Sequence, residues 1–234
     1  MISNCALEGS AVQCPSIQEA LGLTGFALLR EFAPKLEPAA AFRLLGRVES
    51  LEGFAEVQYL TPKERDASTP NTYSGNFGTC DFPLHTDLAH WGVPPRYLAL
   101  RCVEGNVGVA TRLLDGNLVC NIVGRSRLRM ALVQPRRRLA DGKHLLRLLE
   151  KVQTNAGERV RWDPLFLRAA NGRAASVLDE FRDALRANVP ADVVLENPGD
   201  TMVIDNYRML HGRSSVPPNS MRVIARAYLE SVNL

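Results

Sequence analysis

Residues 81–90 read DFPLHTDLAH and place His85 and Asp87 two positions apart in an apolar, strand-like stretch. Side chains alternate along a β-strand, so residues i and i+2 point to the same side. A buried aspartate is costly unless a partner compensates its charge. The stretch therefore predicts a strand whose histidine and aspartate converge on one point, as a hydrogen-bonded core pair or as ligands of a metal ion.

Short apolar or alternating runs recur from about residue 54 onward, and turn residues separate them. Examples are YLALRCV (97–103), TMVIDN (201–206) and MRVIARAYL (221–229). Many short strands with Gly, Pro, Asn and Asp between them are typical of a sandwich or barrel. One helix is predicted among them, at residues 174–187. The sequence thus predicts a mainly β fold with flanking helices and a double-stranded β-helix core, a cupin-like jelly roll.

The first 53 residues show a different pattern, in which two helices and a strand are predicted. A capping-box pattern at Ser16 begins a helix, FALLR (26–30) reads as a strand, and EPAAAFRLLGRVESL (37–51) reads as a second amphipathic helix. No internal repeat or linker divides the chain. We therefore predict a single domain over 1–234, in which the helices and strand of residues 1–53 pack on a jelly roll formed by residues 54–234.

The composition is that of an ordinary globular protein, with 46% hydrophobic and 23% charged residues in 234. The net charge of +3 is mild, so nothing global requires a nucleic acid or a membrane as partner. No apolar run is long enough to span a bilayer. The five cysteines form no C-x-x-C pair, and the start of the sequence lacks a signal-peptide pattern. These features predict a cytoplasmic protein.

A third ligand for the His85 and Asp87 pair would have to come from elsewhere in the chain. His211 is the best candidate, because it follows a strongly apolar run in GDTMVIDNYRMLHGRSS. Two imidazoles and one carboxylate on a triangular face leave three coordination positions open, which is typical of non-haem Fe(II) oxygenases. Zinc hydrolases leave one position open, and their HExxH helix is absent. We interpret His90 and His144 as structural residues.

Two arginines, Arg222 and Arg226, lie four positions apart in the run MRVIARAYL. Alternation puts them on the same face of a strand. Two buried guanidiniums would require a dianion or a keto acid between them, whereas an exposed strand edge would leave both in water. Thr111, in GVATRLLDG, is either a hydroxyl donor to the same anion or an ordinary β-branched strand residue.

The residues around the first motif are candidates for contact with a substrate. An aromatic and acidic pocket would suit an amine or a quaternary ammonium, although aromatic residues there would equally serve packing. The candidates for the mouth of the site are Tyr73, Asn76, Phe77, Asp81 and Trp91.

Residues 124–138 carry six arginines and no acidic residue. Such a run is compatible with nucleic-acid binding, with a solvated face or with a lid over the site. We favour the last two, because no stacking aromatics accompany the arginines.

Taken together, the motifs resemble the TauD/TfdA family of Fe(II)/2-oxoglutarate-dependent dioxygenases, and among these the γ-butyrobetaine hydroxylase-like branch. LHTDLAHWGVPPRYLALRC (84–102) is similar to the first family motif, and GDTMVIDNYRMLHGRSS (199–215) is similar to the second. The co-substrate arginines are matched by Arg222 and Arg226. The usual G-G before the threonine is replaced by Val109 and Ala110.

The resemblance implies a set of cofactors and roles. Fe(II) would be held by His85, Asp87 and His211, with 2-oxoglutarate and O₂ as co-substrates. Arg226 would hold the distal carboxylate of 2-oxoglutarate beside Thr111, and Arg222 would lie near the keto-acid end. We expect His85, Asp87 and His211 to be catalytic, and Thr111, Arg222 and Arg226 to bind the co-substrate.

The implied reaction is hydroxylation, or a related oxidation, of an unactivated C–H bond in a small amino-acid-like, betaine-like or natural-product substrate, with release of succinate and CO₂. A non-catalytic jelly-roll binding protein is the alternative. We expect a small-molecule partner and neither nucleic acid nor membrane, and leave both a monomer and a homodimer open.

Overall fold

The computed structural model of the protein describes residues 16–137, 142, 145–152, 157–218 and 220–233. The helices in these ranges are α1 (Ile17–Thr24), α2 (Pro38–Leu45), α3 (Tyr73–Phe77), α4 (Gly116–Val123), α5 (Arg125–Met130) and α6 (Gly172–Arg186). The strands are β1 (Phe26–Leu29), β2 (Gly46–Val48), β3 (Gln58–Leu60), β4 (Phe82–His85), β5 (Tyr97–Glu104), β6 (Ala110–Asp115), β7 (Leu132–Pro135), β8 (Leu146–Arg147), β9 (Leu149–Lys151), β10 (Glu158–Val160), β11 (Leu167–Ala169), β12 (Ala191–Val194), β13 (Thr201–Asp205), β14 (Met209–Arg213) and β15 (Val223–Val232).

Two antiparallel sheets form the centre of the molecule. The larger sheet has the order β1-β13-β5-β15-β2, with β3 also paired to β15, and the smaller has the order β12-β6-β14-β4. Two small sheets, β10-β9 and β11-β7-β8, lie outside this pair. The predicted jelly-roll core with flanking helices is confirmed.

Strict alternation along the strands builds the core between the two sheets. In β5, Leu98 and Leu100 belong to the cluster that both sheets share, whereas Ala99 faces the other side of the large sheet. The same cluster receives Leu113 from β6 and Met202 from β13. Side chains of successive strand residues point to opposite faces, so one face of each sheet is committed to this interior. The outer face of the large sheet is covered by α1 and α2.

The N-terminal elements join the large sheet as well as pack on it. The capping box at Ser16 begins α1, as predicted. β1 then pairs with β13 at the edge of the sheet, and β2 pairs with β15. The prediction that the second helix runs to residue 51 is wrong, because α2 ends at Leu45. Gly46 approaches β15 so closely that a Cβ atom would lie 1.8 Å from the carbonyl oxygen of Ser231. Position 46 therefore accommodates only glycine next to β15.

An additional layer of helices covers the outer face of the small sheet. The helix predicted at 174–187 is confirmed as α6, but α4 and α5 were not predicted. In α5, Arg125 and Arg129 both pair with Glu158, and Arg127 pairs with Glu180. These guanidiniums thus form ion pairs within the chain on an outer layer, and the interpretation of this stretch as a lid is wrong for α5. Arg138 and His144 lie outside the described residues.

Among the described helices, none is long and apolar enough to cross a membrane.

Candidate metal centre and substrate cavity

His85, Asp87 and His211 converge at one point on the inner face of the small sheet. His85 is the last residue of β4 and is the register partner of His211 in β14. Nε2 of His85 lies 3.3 Å from Oδ1 of Asp87, and Nε2 of His211 lies 3.5 Å from the same oxygen. All three side chains are buried, and one potential ligand atom from each lies within 4.8 Å of the others. The structure therefore brings the three predicted ligands together.

Asp87 reaches this point from a turn, and the predicted strand alternation is wrong there. β4 ends at His85, and the chain turns through Leu88, whose φ is +52°. The amide of Asn206 fixes the turn: its Oδ1 accepts from the backbone N–H of Asp87 at 2.7 Å, and its Nδ2 donates to the carbonyls of Asp87 and Pro95. A buried asparagine from the second motif thus aligns the aspartate of the first.

The donor atoms of the three side chains suit a divalent metal. The Nδ1–H of His85 donates to the carbonyl of Pro83 at 2.9 Å, which leaves the Nε2 lone pair directed at the centre. Burial lowers the pKa of His211 and favours its neutral form. Burial alone would raise the pKa of Asp87, but Arg226 and the two imidazoles hold it well below its usual range. Burial alone would lower the pKa of His85, but the Asp87 carboxylate raises it, so a metal ion would take the place of the proton on that imidazole. With that proton displaced, two imidazoles and one carboxylate are the donor set of non-haem iron sites.

The second oxygen of Asp87 is already occupied. Oδ2 accepts a hydrogen bond from the hydroxyl of Tyr228 at 2.8 Å and one from Nη1 of Arg226 at 3.2 Å. Nη2 of Arg226 donates to Oε1 of Gln58 at 2.5 Å. These contacts turn Oδ1 toward the imidazoles. They also leave Arg226 bound to Asp87, one of the three proposed metal ligands.

The three side chains line a cavity of about 500 Å³. One group of wall residues, here called the arginine cluster, consists of Thr111, Arg213 and Arg222. Thr111 and Arg213 are register partners on β6 and β14. Nη2 of Arg213 donates to the carbonyls of Gly78 and Cys80, and its guanidinium lies 3.8 Å from the centre of the Phe82 ring. The guanidinium of Arg213 therefore already has partners among the residues around the cavity.

Arg222 differs from its neighbours in this cluster. Its side chain is buried, and burial lowers the pKa of its guanidinium to about 10. Within the described parts of the chain it makes no hydrogen bond or ion pair, and its buried Nε has no partner. Arg222 and Arg226 line the same cavity, as their spacing predicts, but of these two arginines only Arg222 has both terminal nitrogens without a partner in the described residues.

A second group of wall residues, here called the aromatic cluster, consists of Phe54, Tyr73, Trp91 and Phe166. The ring of Tyr73 stacks on the imidazole of His85, with 4.1 Å between centroids. Phe54 meets Trp91 edge to face at 5.6 Å. This cluster therefore begins beside a metal ligand and extends to the mouth of the cavity.

The predicted mouth residues divide into two sets. Tyr73 and Trp91 line the cavity, whereas Asn76, Phe77 and Asp81 do not. Nδ2 of Asn76 donates to the carbonyl of Thr72, which caps α3. The ring of Phe77 packs against Tyr73, and Asp81 forms an ion pair with Arg112 at 2.5 Å on the outside of the sheet. Local packing and pairing turn these three residues away from the cavity, and their contact with a substrate stays a prediction.

Several polar residues of the cavity were not predicted as site residues, among them Lys63, His90 and Asp163. Asp163 is buried in the wall, and burial raises the pKa of its carboxyl. His90, which we interpreted as structural, also lines the cavity, and its buried Nδ1 has no partner in the described ranges. No spacing rule links either residue to the metal motifs, since Asp163 enters the wall from the turn after β10.

A scan against protein-family models matches residues 9–228 to "Taurine catabolism dioxygenase TauD, TfdA family". The chain belongs to the TauD/TfdA family. The family assignment thus confirms the resemblance of the two histidine motifs. No curated protein matches the sequence.

Solved structures with the same fold include three oxygenases of low sequence identity. Asparagine oxygenase, in complex with Fe(II), 2S,3S-3-hydroxyasparagine and succinate, is 19% identical with a TM-score of 0.59 over 75% of this chain and 56% of that chain. The non-haem iron oxygenase OrfP, with Fe and α-ketoglutaric acid, is 17% identical with a TM-score of 0.64 over 92% and 78%. PvcB from Pseudomonas aeruginosa is 19% identical with a TM-score of 0.64 over 92% and 80%. The chain therefore spans little more than half of asparagine oxygenase and about four-fifths of the other two.

Proposed function

We propose that the protein is an Fe(II)- and 2-oxoglutarate-dependent dioxygenase that oxidises an unactivated C–H bond of a small substrate. One observation carries the proposal. His85, Asp87 and His211 present two imidazole nitrogens and a carboxylate oxygen to a cavity whose wall also holds an unpaired guanidinium, that of Arg222. A metal site with open positions and a nearby anion-binding group is what a chelating keto diacid requires.

Arg222, rather than Arg226, is proposed to bind the distal carboxylate of 2-oxoglutarate. Both terminal nitrogens of Arg226 already donate, one to Asp87 and one to Gln58. Arg222 is buried without such partners, and a buried unpaired charge is unfavourable until an anion joins it. Thr111 lines the same cavity, and its hydroxyl is proposed to donate to the same carboxylate. The roles of the two arginines are thus the reverse of those that the family resemblance implied.

Residues of this chain would hold the metal, orient its carboxylate ligand and position the substrate. Bound together, Fe(II), 2-oxoglutarate and dioxygen supply an oxidant able to break an unactivated C–H bond, and succinate and CO₂ are the by-products. His85, Asp87 and His211 would hold the metal. Tyr228 and Arg226 keep the Asp87 carboxylate turned toward it. The aromatic cluster excludes water and orients the substrate beside His85.

An amino-acid-like substrate is proposed in view of the structural relatives. Asparagine oxygenase was solved with a hydroxylated asparagine, a mutant of OrfP with (3S)-hydroxy-L-Arg, and OrfP with Fe and L-canavanine. A cavity of about 500 Å³ has room for such a molecule beside the co-substrate.

Two finer assignments are also proposals. The H-T-D and D-N-x-R-x-L-H-G-R motifs support a place in the γ-butyrobetaine hydroxylase-like branch. A reducing compartment such as the cytoplasm suits Cys102 and Cys120, which are buried as free thiols.

The decisive experiment is the anaerobic addition of Fe(II) and 2-oxoglutarate to the purified protein. We expect the weak visible charge-transfer band of the metal–keto-acid chelate, and succinate release once oxygen and a substrate are admitted. Asp87→Ala should abolish both without unfolding the domain. Asp179→Asn, which neutralises an exposed carboxylate on α6, is the matched control and should leave both unchanged. Absence of the band in the wild-type protein would refute the proposed function.

A further inference from the structure

The carboxylate of Asp163 has one satisfied oxygen and one free oxygen. Its Oδ1 accepts three hydrogen bonds: from the hydroxyl of Tyr73 at 3.1 Å and from the backbone N–H groups of Leu165 and Phe166 at 2.8 and 2.9 Å. Within the described residues Oδ2 accepts none, and it is not sealed from the cavity that Asp163 lines. The side chain is thus held through Oδ1, and Oδ2 remains available as an acceptor in the cavity wall.

Within the described residues this carboxylate has no salt-bridge partner, although Lys63 and three arginines line the same cavity and the His85 imidazole favours its ionised form. Asp87 is the other carboxylate among the described lining residues, and it is occupied by Arg226, Tyr228 and the imidazoles. No ion pair joins Asp163 to a basic side chain of the described chain. A carboxylate that is 3% exposed is costly to keep ionised without a compensating cation.

The surroundings of Asp163 are those of a site for an organic cation. The rings of Tyr73 and Phe166 meet at 5.9 Å, and the His90 imidazole lies 5.1 Å from the Phe166 ring. Aromatic faces attract cations that have been taken out of water. Burial lowers the pKa of His90, so the imidazole is neutral and one of its nitrogens can accept a second N–H of the same cation.

We propose, on the basis of the dioxygenase function above, that Asp163 selects a substrate with a primary ammonium or guanidinium group by accepting its N–H at Oδ2. A quaternary ammonium has no N–H to donate, so it would leave this oxygen unpaired. Tyr73 links the two parts of the site, because its hydroxyl holds Asp163 while its ring stacks on His85. The cationic end of the substrate is therefore anchored one tyrosine side chain away from the metal centre.

The test uses matched probes on the Fe(II)- and 2-oxoglutarate-loaded protein. The pairs are 4-guanidinobutyrate with 4-ureidobutyrate and 6-aminohexanoate with 6-acetamidohexanoate, which differ in the charge of their one nitrogen group, and 4-aminobutyrate with γ-butyrobetaine, which differ in N–H donors. Anaerobic calorimetry gives the dissociation constants, and succinate release in oxygen gives turnover. We expect at least one N–H cation to bind and to stimulate succinate release at least tenfold more than its partner.

Asp163→Asn keeps an acceptor for Tyr73 and the backbone but removes the charge. It should weaken the binding of the stimulating cation and raise its KM at least tenfold, while the charge-transfer band and the KM for 2-oxoglutarate stay unchanged. Asp179→Asn is again the control. The inference is overturned if Asp163→Asn binds the cation as the wild type does, if the uncharged or quaternary partners work equally well, or if no cationic probe stimulates.

The probe pairs in the wild-type protein decide the question even if Asp163→Asn does not fold. The charge-transfer band without any amine reports on the proposed function alone. Its absence would refute the dioxygenase, whereas its presence without cation selectivity would refute only the role of Asp163.

Discussion

The Tyr228 hydroxyl donates to Oδ2 of Asp87 at 2.8 Å, and this bond decides which oxygen of the carboxylate faces the metal centre. Nη1 of Arg226 donates to the same oxygen at 3.2 Å. Oδ1 is left to the imidazoles of His85 and His211. Hydrogen bonds of this kind fix the orientation of a metal ligand before the metal arrives.

Tyr228→Phe should therefore weaken metal binding while the three ligands remain in place. Loss of a hydrogen bond to a ligating carboxylate typically costs roughly 10- to 100-fold in metal affinity. Anaerobic titration with Fe(II) measures the dissociation constant directly. Tyr97→Phe, on the other side of the large sheet, is the control and should titrate like the wild type. Equal affinity in Tyr228→Phe would mean that Arg226 alone orients Asp87.

Arg222→Met and Arg226→Met should affect different steps. Loss of the unpaired guanidinium of Arg222 removes a charged hydrogen-bond partner of 2-oxoglutarate, so we expect the apparent KM for 2-oxoglutarate to rise roughly 30- to 1000-fold, equivalent to about 2–4 kcal/mol. Loss of Arg226 should chiefly weaken Fe(II) binding through Asp87. Titration of each component at saturation with the other separates the two. A larger effect of Arg226→Met on 2-oxoglutarate would restore the roles that the family motif implied.

The metal ligands could be predicted from the sequence, because few residues in the chain can serve as ligands. Four histidines in the whole chain and the H-x-D spacing were enough to predict His85, Asp87 and His211. The backbone geometry around Asp87 could not be predicted in the same way. The strand stops at His85, and Asp87 reaches the centre through a turn held by Asn206, a long-range contact that spacing does not encode.

Strand alternation alone could not predict that Arg222 and Arg226 have different partners. Alternation correctly put Arg222 and Arg226 on one face, but the partner that occupies Arg226 is Asp87, 139 positions away in the sequence. Asp163 was missed for the same reason. Its partner Tyr73 is 90 positions away, and an aspartate after a short strand is more often a turn residue. Local patterns predict faces, whereas contacts between distant segments decide which polar groups remain free.

Glu150→Gln should loosen the turn that carries Trp91. Oε2 of Glu150 accepts from Nη2 of Arg159 at 2.6 Å and from Nη2 of Arg161 at 3.1 Å. Arg161 is fully buried and donates to the carbonyls of Ala89, Trp91 and Gly92, and burial lowers the pKa of its guanidinium to about 10. The substitution leaves two buried cations without their anion.

Because the Glu150 side chain keeps 38% of its exposure, we expect a loss of about 1–3 kcal/mol in the free energy of unfolding, below the value for a fully buried pair. Urea denaturation measures this loss. Glu56→Gln, which removes a surface pair with Arg43, should change stability by less than about 0.5 kcal/mol. Equal effects of the two substitutions would show that Glu150 does not stabilise the buried arginines.

Asp200→Asn should reduce stability in a manner that depends on pH. Asp200 is fully buried, and its carboxylate accepts from the backbone N–H groups of Glu31, Glu196 and Asn197 and from Nη1 of Arg30 at 2.7 Å. Burial alone would raise the pKa of Asp200, but these donors hold it below its usual value. The unfolded chain binds the proton more readily than the folded protein, so the ionised carboxylate stabilises the fold above the unfolded pKa of about 3.9.

That stabilisation is complete above about pH 5 and is lost as the pH falls through the lowered pKa of the folded state. We expect Asp200→Asn to be about 2–3 kcal/mol less stable than the wild type at pH 7, with the difference shrinking below about pH 4. Denaturant titrations at several pH values measure this difference. Asp183→Asn, which removes an exposed pair with Arg186 on α6, is the control and should show a small difference at every pH. A difference for Asp200→Asn that stays constant down to pH 3 would mean that hydrogen-bond geometry, and not charge, is what Asp200 contributes.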